Sequence, residues 1–386
     1  MAFRLLLFGA SLALLFLTIW TILPAPNLSL VIVSVGATEL CAWLVAAGLA
    51  VCALTLGLSG RGTLSSATVL LSAIATLVAS LPLARVPFAT RRFNAAIGAV
   101  VGAGAPAASR RRPFVLLDLF RGMDTGGARI SRNIPFASPA GVRLTLDVYR
   151  PADDGFYPVV VQIYGGAWQR GAPADNPQFA AYLAARGFVV FGIDYRHAPE
   201  WQWPAQIEDV RAALGWIRMH AVEYGADVSR LALMGRSAGA QLAMIAGYEA
   251  AAPTVAAVVS YYGPVDLVDG YRDPPQPDPL DVRAIEDAFL GGTPDQQPDR
   301  YRDASPLTYA SRRLPPSLLV YGSRDHIVLP RFGRLLDARL REAGNTSVLL
   351  EIPWADHGFD FVPNGPSGQL ALYYTERFLA WALKRG

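Results

Sequence analysis

The chain has 386 residues, 52% of them hydrophobic and 17% charged, with 34 basic against 31 acidic side chains for a net charge of +3. No interleaving of arginines with aromatics marks a nucleic-acid surface, and a net charge this small offers none by electrostatics alone. The charges are unevenly spread: before Arg85 the only ones are Arg4, Glu39 and Arg61, a density that no soluble surface of that length shows.

Residues 1–85 therefore read as a membrane region. Phe3 to Leu23 is an apolar run stopped by Pro24 and Pro26, and it matches the roughly 20 residues that a helix needs to cross about 30 Å of hydrocarbon. A signal peptide is the competing reading, since Arg4 precedes the run and Ala25 is small. The run exceeds an h-region of about 7–15 residues, however, and more apolar sequence comes after it. Leu28 to Leu58 holds the second span, either whole or as its 37–58 portion, and 63–83 is the third. Glu39 either sits at the membrane interface or has a proton-relay or partner role among the helices, because a carboxylate facing lipid is costly. Cys41 and Cys52, on one helix, would lie about 16 Å apart and cannot form a bridge.

Residues 86–115 read as a basic linker rich in Gly and Ala. Arg85, Arg91, Arg92 and Arg110 to Arg112 follow the third span, and Phe93, Ile97, Val100 and Val101 recur at roughly helical spacing. Such a segment suits an interface with anionic headgroups. The positive-inside rule puts the C-terminal domain in the cytoplasm and the N-terminus outside, with Arg4 on the outer side as the contrary sign.

From 116 to 386 the pattern is that of one α/β core. Alternation over Val142-Arg-Leu-Thr-Leu-Asp-Val-Tyr149 predicts an antiparallel outer strand, and apolar runs at 158–163, 188–193, 231–234, 255–261, 317–321 and 347–352 predict a buried parallel sheet. Ile207, Val210, Leu214, Ile217 and Ala221 mark an amphipathic helix. The rhythm breaks at about 264–305, where Asp273-Pro-Pro-Gln-Pro-Asp-Pro279 cannot be helix interior and Val282 to Leu290 is a short helix.

Chemistry concentrates at Leu231-Ala-Leu-Met-Gly-Arg-Ser-Ala-Gly239, a strand running through Gly-x-Ser-x-Gly into a helix. Glycines at 235 and 239 allow the close backbone approach of a nucleophile elbow with Ser237 at its apex. A serine needs a base. Of the four histidines, His220 falls on the amphipathic helix, His197 precedes the serine, His326 directly follows an acid, and His357 comes last, after a strand. The chain order Ser, acid, His selects His357. Asp325, on the loop after the 317–321 strand, is the acid; Asp303 precedes any strand, and Asp356 adjoins His357 too closely to face its ring easily. Gly165 and Gly166 end the 158–163 strand and, with the amide of Ala238, form the expected oxyanion hole. Tyr164, Trp168, Arg236 and His197 are candidate pocket residues.

These motifs, with Leu146-Asp-Val-Tyr-Arg-Pro151, Asp194-Tyr-Arg-His-Ala-Pro-Glu200 and Tyr262-Gly-Pro264, resemble those of the hormone-sensitive-lipase-like and feruloyl-esterase-like carboxylesterases of the α/β-hydrolase superfamily, from about residue 130 to the C-terminus. The resemblance implies a mostly parallel twisted sheet flanked by helices, a serine triad needing no metal or organic cofactor, and an insertion that covers the site and selects the acyl group. Two positions depart from the family pattern: Tyr164 stands where its His-Gly-Gly has histidine, and Ala240 where its Ser-Ala-Gly-Gly has the last glycine. The combined expectation is a membrane-anchored serine carboxylesterase acting on a small-molecule or lipid-like ester. The alternatives are an amidase or peptidase on the same triad and a non-catalytic hydrolase-fold binding protein.

Overall fold

The computed structural model describes residues 1–58, 60, 62–102, 110–249, 255–311 and 313–384. Arg61 and the Gly/Ala-rich stretch 103–109 lie outside them.

The apolar N-terminal region forms α1 (Ala2–Ile19), α2 (Leu28–Glu39), α3 (Cys41–Leu58) and α4 (Thr63–Val101). Three of these, α1, α3 and α4, are long and apolar enough to cross a membrane. The run from 28 to 58 is two helices, because the chain turns at Leu40 (φ −96°, ψ 18°), and α2 alone is too short to span. Cys41 and Cys52 are both free.

The third apolar run does not end at Leu83. α4 continues through Pro82 and Pro87 for 39 residues, so the first half of the expected linker is helix. Its Val86, Ala89, Phe93, Ile97 and Val101 recur every three or four residues and are buried in the same core as the sheet. The Phe93 and Tyr374 rings meet edge to face at 5.5 Å, and the Tyr374 hydroxyl lies 3.1 Å from both the Thr90 carbonyl and Asn94 Oδ1. The apolar stripe read as interfacial is thus taken up by the C-terminal domain. Arg110, expected to favour headgroups, instead pairs with Asp118 at 2.7 Å and donates to Gln369 at 2.9 Å.

The remaining elements are α5 (Asp118–Arg121), β1 (Arg129–Ala137), β2 (Leu144–Arg150), β3 (Tyr157–Ile163), α6 (Pro177–Ala184), β4 (Val189–Ile193), α7 (Ala205–His220), β5 (Ala226–Arg236), α8 (Ala238–Tyr248), β6 (Val255–Tyr261), α9 (Leu267–Arg272), α10 (Val282–Leu290), α11 (Pro298–Asp303), β7 (Ser317–Gly322), α12 (Arg331–Glu342), β8 (Ser347–Ile352) and α13 (Pro366–Ala382). The strands form one sheet of order β1-β2-β4-β3-β5-β6-β7-β8. β1 and β2 are antiparallel to their neighbours, and the rest run parallel. The expected parallel core is present, but β2 is not the outer strand: β1 covers its edge. β5 lies at the centre, so its turn into α8 opens at the carboxyl end of the sheet, where open α/β folds place their sites.

Candidate active site

The turn from β5 into α8 puts Ser237 at φ 50°, ψ −122°, a strained conformation for a residue with a side chain and one that functional sites retain. The flanking glycines are sterically obligatory. A Cβ on Gly235 would stand 2.1 Å from the Gly239 carbonyl oxygen, and one on Gly239 would stand 2.2 Å from the Tyr164 oxygen. Ala240, the second departure from the family pattern, is buried inside α8 without disturbing the turn.

His357 Nε2 lies 3.0 Å from Ser237 Oγ, and His357 Nδ1 lies 2.9 Å from Asp325 Oδ2. The second oxygen of Asp325 accepts the backbone N–H groups of Ile327 at 2.9 Å and Val328 at 2.8 Å, which fixes the carboxylate plane. Burial raises the Asp325 pKa, and the neighbouring His357 opposes that rise. The arrangement places a hydroxyl, an imidazole and a carboxylate in the sequence that a serine triad requires.

The competing acids are engaged elsewhere. Asp356 takes the His326 ring at 2.9 Å and the backbone N–H of His357 at 2.8 Å, so its carboxylate holds the loop rather than the His357 imidazole. Asp303 pairs with Arg302. His220 stacks on Trp216 with ring centroids 4.1 Å apart.

Gly165 and Gly166 lie beside the elbow. A Cβ on Gly165 would come within 3.1 Å of Ser237 Cβ, and Gly166, at φ 127°, leaves no room for one. Tyr164, at the position of the family's histidine, is buried behind them. Its hydroxyl donates to Asp194 Oδ1 at 2.6 Å and lies 2.9 Å from His197 Nε2, while its ring stacks on Tyr195. Burial raises the pKa of both Tyr164 and Asp194, and lowers that of His197. Tyr164 and His197 therefore support the loop from behind and line neither cavity at Ser237, contrary to their expected place in the pocket.

Two cavities meet at Ser237. The smaller, about 60 Å³, lies under the 264–305 insertion and is bounded by Trp168, Ile285, Glu286, Val328 and Phe332. Trp168 is held there by stacking on Phe289 at 4.1 Å and by donating to Gln241 Oε1 at 3.0 Å. The larger, about 600 Å³, includes Gly165, Gly166, Tyr262, His357 and Phe361, and one wall is α2. Arg236 borders this cavity but its side chain is buried. Its Nε donates to Asp360, whose other oxygen accepts the Tyr262 hydroxyl. The Tyr262 ring in turn packs 4.5 Å from the His357 ring. Nothing local in the sequence announces this Arg236–Asp360–Tyr262 brace beyond the Tyr262-Gly-Pro264 motif, because its members are scattered along the chain.

The BD-FAE family model matches residues 146–340, about half of the chain, from β2 into α12. The chain belongs to the BD-FAE family. Among curated relatives of this BD-FAE chain, esterase LipC of Mycobacterium tuberculosis (strain ATCC 25618 / H37Rv) is 37% identical over 242 residues, 58% of this chain and 59% of LipC. The probable carboxylic ester hydrolase LipM of the same strain is 32% identical over 251 residues, 61% of this chain and 57% of LipM. The chain thus spans somewhat under three fifths of the length of these two relatives. A solved esterase of Pyrobaculum calidifontis superposes with a TM-score of 0.59 at 23% identity, covering 76% of this chain and 92% of that one. Together with the sheet topology, this gives the BD-FAE chain the α/β-hydrolase fold.

Proposed function

We propose that the protein is a membrane-anchored serine carboxylesterase. The observation that carries this reading is the hydrogen-bonded line Ser237–His357–Asp325, with separations of 3.0 and 2.9 Å, whose serine and histidine line a largely apolar cavity. Ser237 attacks the ester carbonyl as His357 Nε2 accepts its proton, and Asp325 stabilises the imidazolium. The amides of Gly165, Gly166 and Ala238 receive the negative charge of the tetrahedral intermediate. Collapse expels the alcohol, protonated by His357, and a water activated by the same imidazole releases the acid from Ser237.

The relatives' names, an esterase and a probable carboxylic ester hydrolase, agree with this chemistry. We read α1, α3 and α4 as the spans, residues 116–386 as the catalytic domain and the arginines after α4's apolar half as placing that domain on the cytoplasmic side. The test is hydrolysis of p-nitrophenyl esters from acetyl to palmitoyl by full-length protein beside Ser237→Ala, with fluorophosphonate labelling of both. Turnover and labelling that vanish together in the variant are expected. Turnover that persists in Ser237→Ala overturns the assignment, as does folded protein that neither labels nor hydrolyses any ester.

A further inference from the structure

α2 belongs by sequence to the apolar N-terminal region, yet it is built into the site. Its residues Leu28, Val31, Ile32, Val35 and Gly36 fall at i, i+3, i+4, i+7 and i+8, which is a single helix face, and all five line the 600 Å³ cavity that holds Ser237 and His357. Between Leu28 and Gly36 that face offers about 12 Å of uninterrupted apolar wall.

The helix is fastened to the loops that carry the acid and the base. Ser34 Oγ lies 3.3 Å from Asp356 Oδ2, next to His357, and 3.0 Å from the Trp20 carbonyl. Ala25, Val31 and Val35 pack with Ile327, two residues beyond Asp325, and Arg324 donates to the Leu23 carbonyl at 3.3 Å. At the C-terminal end of α2, Glu39 Oε2 accepts the Ser367 N–H at the start of α13 at 2.9 Å. The wall is therefore a fixed part of the cavity rather than a chance neighbour.

Its location says what the cavity receives. α2 joins the ends of α1 and α3 nearest the catalytic domain, where hydrocarbon gives way to headgroups if those helices span. Apolar side chains stand exposed at the lip, Ile32 at 65% and Phe361 at 70%, as they do where a surface meets lipid. On the other side of Ser237 the pocket under the insertion is about tenfold smaller.

We infer that the substrate is an ester resident in the bilayer, with one long apolar chain that enters from the membrane and lies along the α2 face while its short group occupies the pocket under the insertion. This rests on the esterase reading and adds the substrate class and the element that selects it.

The test measures kcat/KM for p-nitrophenyl decanoate and p-nitrophenyl acetate with full-length protein in phosphatidylcholine nanodiscs. Val31→Trp and Val35→Trp fill the wall from within. Ile32→Trp adds bulk at the exposed lip, where folding tolerates it, and keeps the test alive if the buried variants misfold. Met219→Trp, exposed on α7 and lining neither cavity, is the control. The decanoyl-to-acetyl ratio is expected to fall at least tenfold in the wall variants and to stay within twofold in Met219→Trp. A wild type that hydrolyses both esters, with a ratio unmoved in every wall variant, overturns the α2 assignment alone. An equal shift in Met219→Trp also overturns it. A wild type that hydrolyses neither ester removes the esterase reading beneath it.

Discussion

Replacing Asp325 by asparagine tests the proposed acid at the level of a single proton. One oxygen of Asp325 is committed to the N–H groups of Ile327 and Val328, and only an acceptor satisfies both. An asparagine must keep its carbonyl there and turn its NH2 toward His357 Nδ1, where the carboxylate now stands at 2.9 Å. Nδ1 then has to be the acceptor, so the proton moves to Nε2, and the nitrogen facing Ser237 at 3.0 Å becomes a donor. A base in that tautomer cannot take the serine proton. In another serine triad the same change lowers kcat by about 10⁴, or roughly 5.4 kcal/mol of transition-state stabilisation. We expect a loss of that order with p-nitrophenyl butyrate, in protein whose melting temperature is kept. Asp356→Asn, which disturbs the His326 contact and the loop but not the His357 ring, is expected to lose no more than about 10²-fold through mispositioning. Asp325→Asn retaining over a tenth of wild-type kcat, or Asp356→Asn falling as far as Asp325→Asn, refutes the assignment.

Tyr164→Phe removes the hydroxyl that donates to Asp194 at 2.6 Å, a charge-assisted bond worth about 1.5–3 kcal/mol. A fall in denaturation midpoint with a lowered kcat is expected, and an unchanged protein would show that the proposed oxyanion loop does not depend on this contact. Gly239→Ala sets a methyl 2.2 and 2.3 Å from the Tyr164 and Ile163 carbonyl oxygens, so folded yield should collapse, and a stable active variant would disprove the elbow packing. Glu39→Ala strips the acceptor from the Ser367 N–H and should cost about 1–3 kcal/mol in detergent unfolding. Glu286 is buried among Asp266, Asp278 and Asp287, with Oε2 unpartnered, and that burial pushes its pKa well above the carboxylate range. Its folded form holds the proton more tightly than the unfolded chain, so its contribution is full below about pH 4 and is lost as pH rises. Melting temperature should therefore fall less between about pH 5 and pH 8 in Glu286→Gln than in wild type, and parallel curves would contradict this.

The sheet interior and the order Ser237, Asp325, His357 were legible because both are written locally: an apolar run states a buried strand, and each proposed catalytic residue follows one. β1 escaped notice because Arg129, Ser131, Arg132 and Asn133 break the alternation and Asn133, at φ 56°, interrupts its register with β2. The end of α4 lies beyond the expected Leu83 because the apolar run stops near Pro82, while burial of Phe93 and Ile97 under the domain keeps the helix going through Pro82 and Pro87. α2 looked like part of a span because hydropathy does not distinguish a lipid-facing residue from one facing a cavity. Tyr164's partners, Asp194 and His197, lie some 30 residues away, and no local pattern announces such a pairing.

At about 1.5 Å per residue, α4 runs for about 58 Å with no loop between its apolar half and the part packed on the C-terminal domain. If that half spans the bilayer as proposed, a domain mounted this way has no slack: it would not swing out to sample solution or reach across to a neighbouring vesicle, and its encounters with the proposed bilayer-resident ester would be collisions within one leaflet. Its working concentration scale is then molecules per unit area, so diluting the membranes should leave the rate per enzyme unchanged, whereas diluting the substrate among added lipid should lower it.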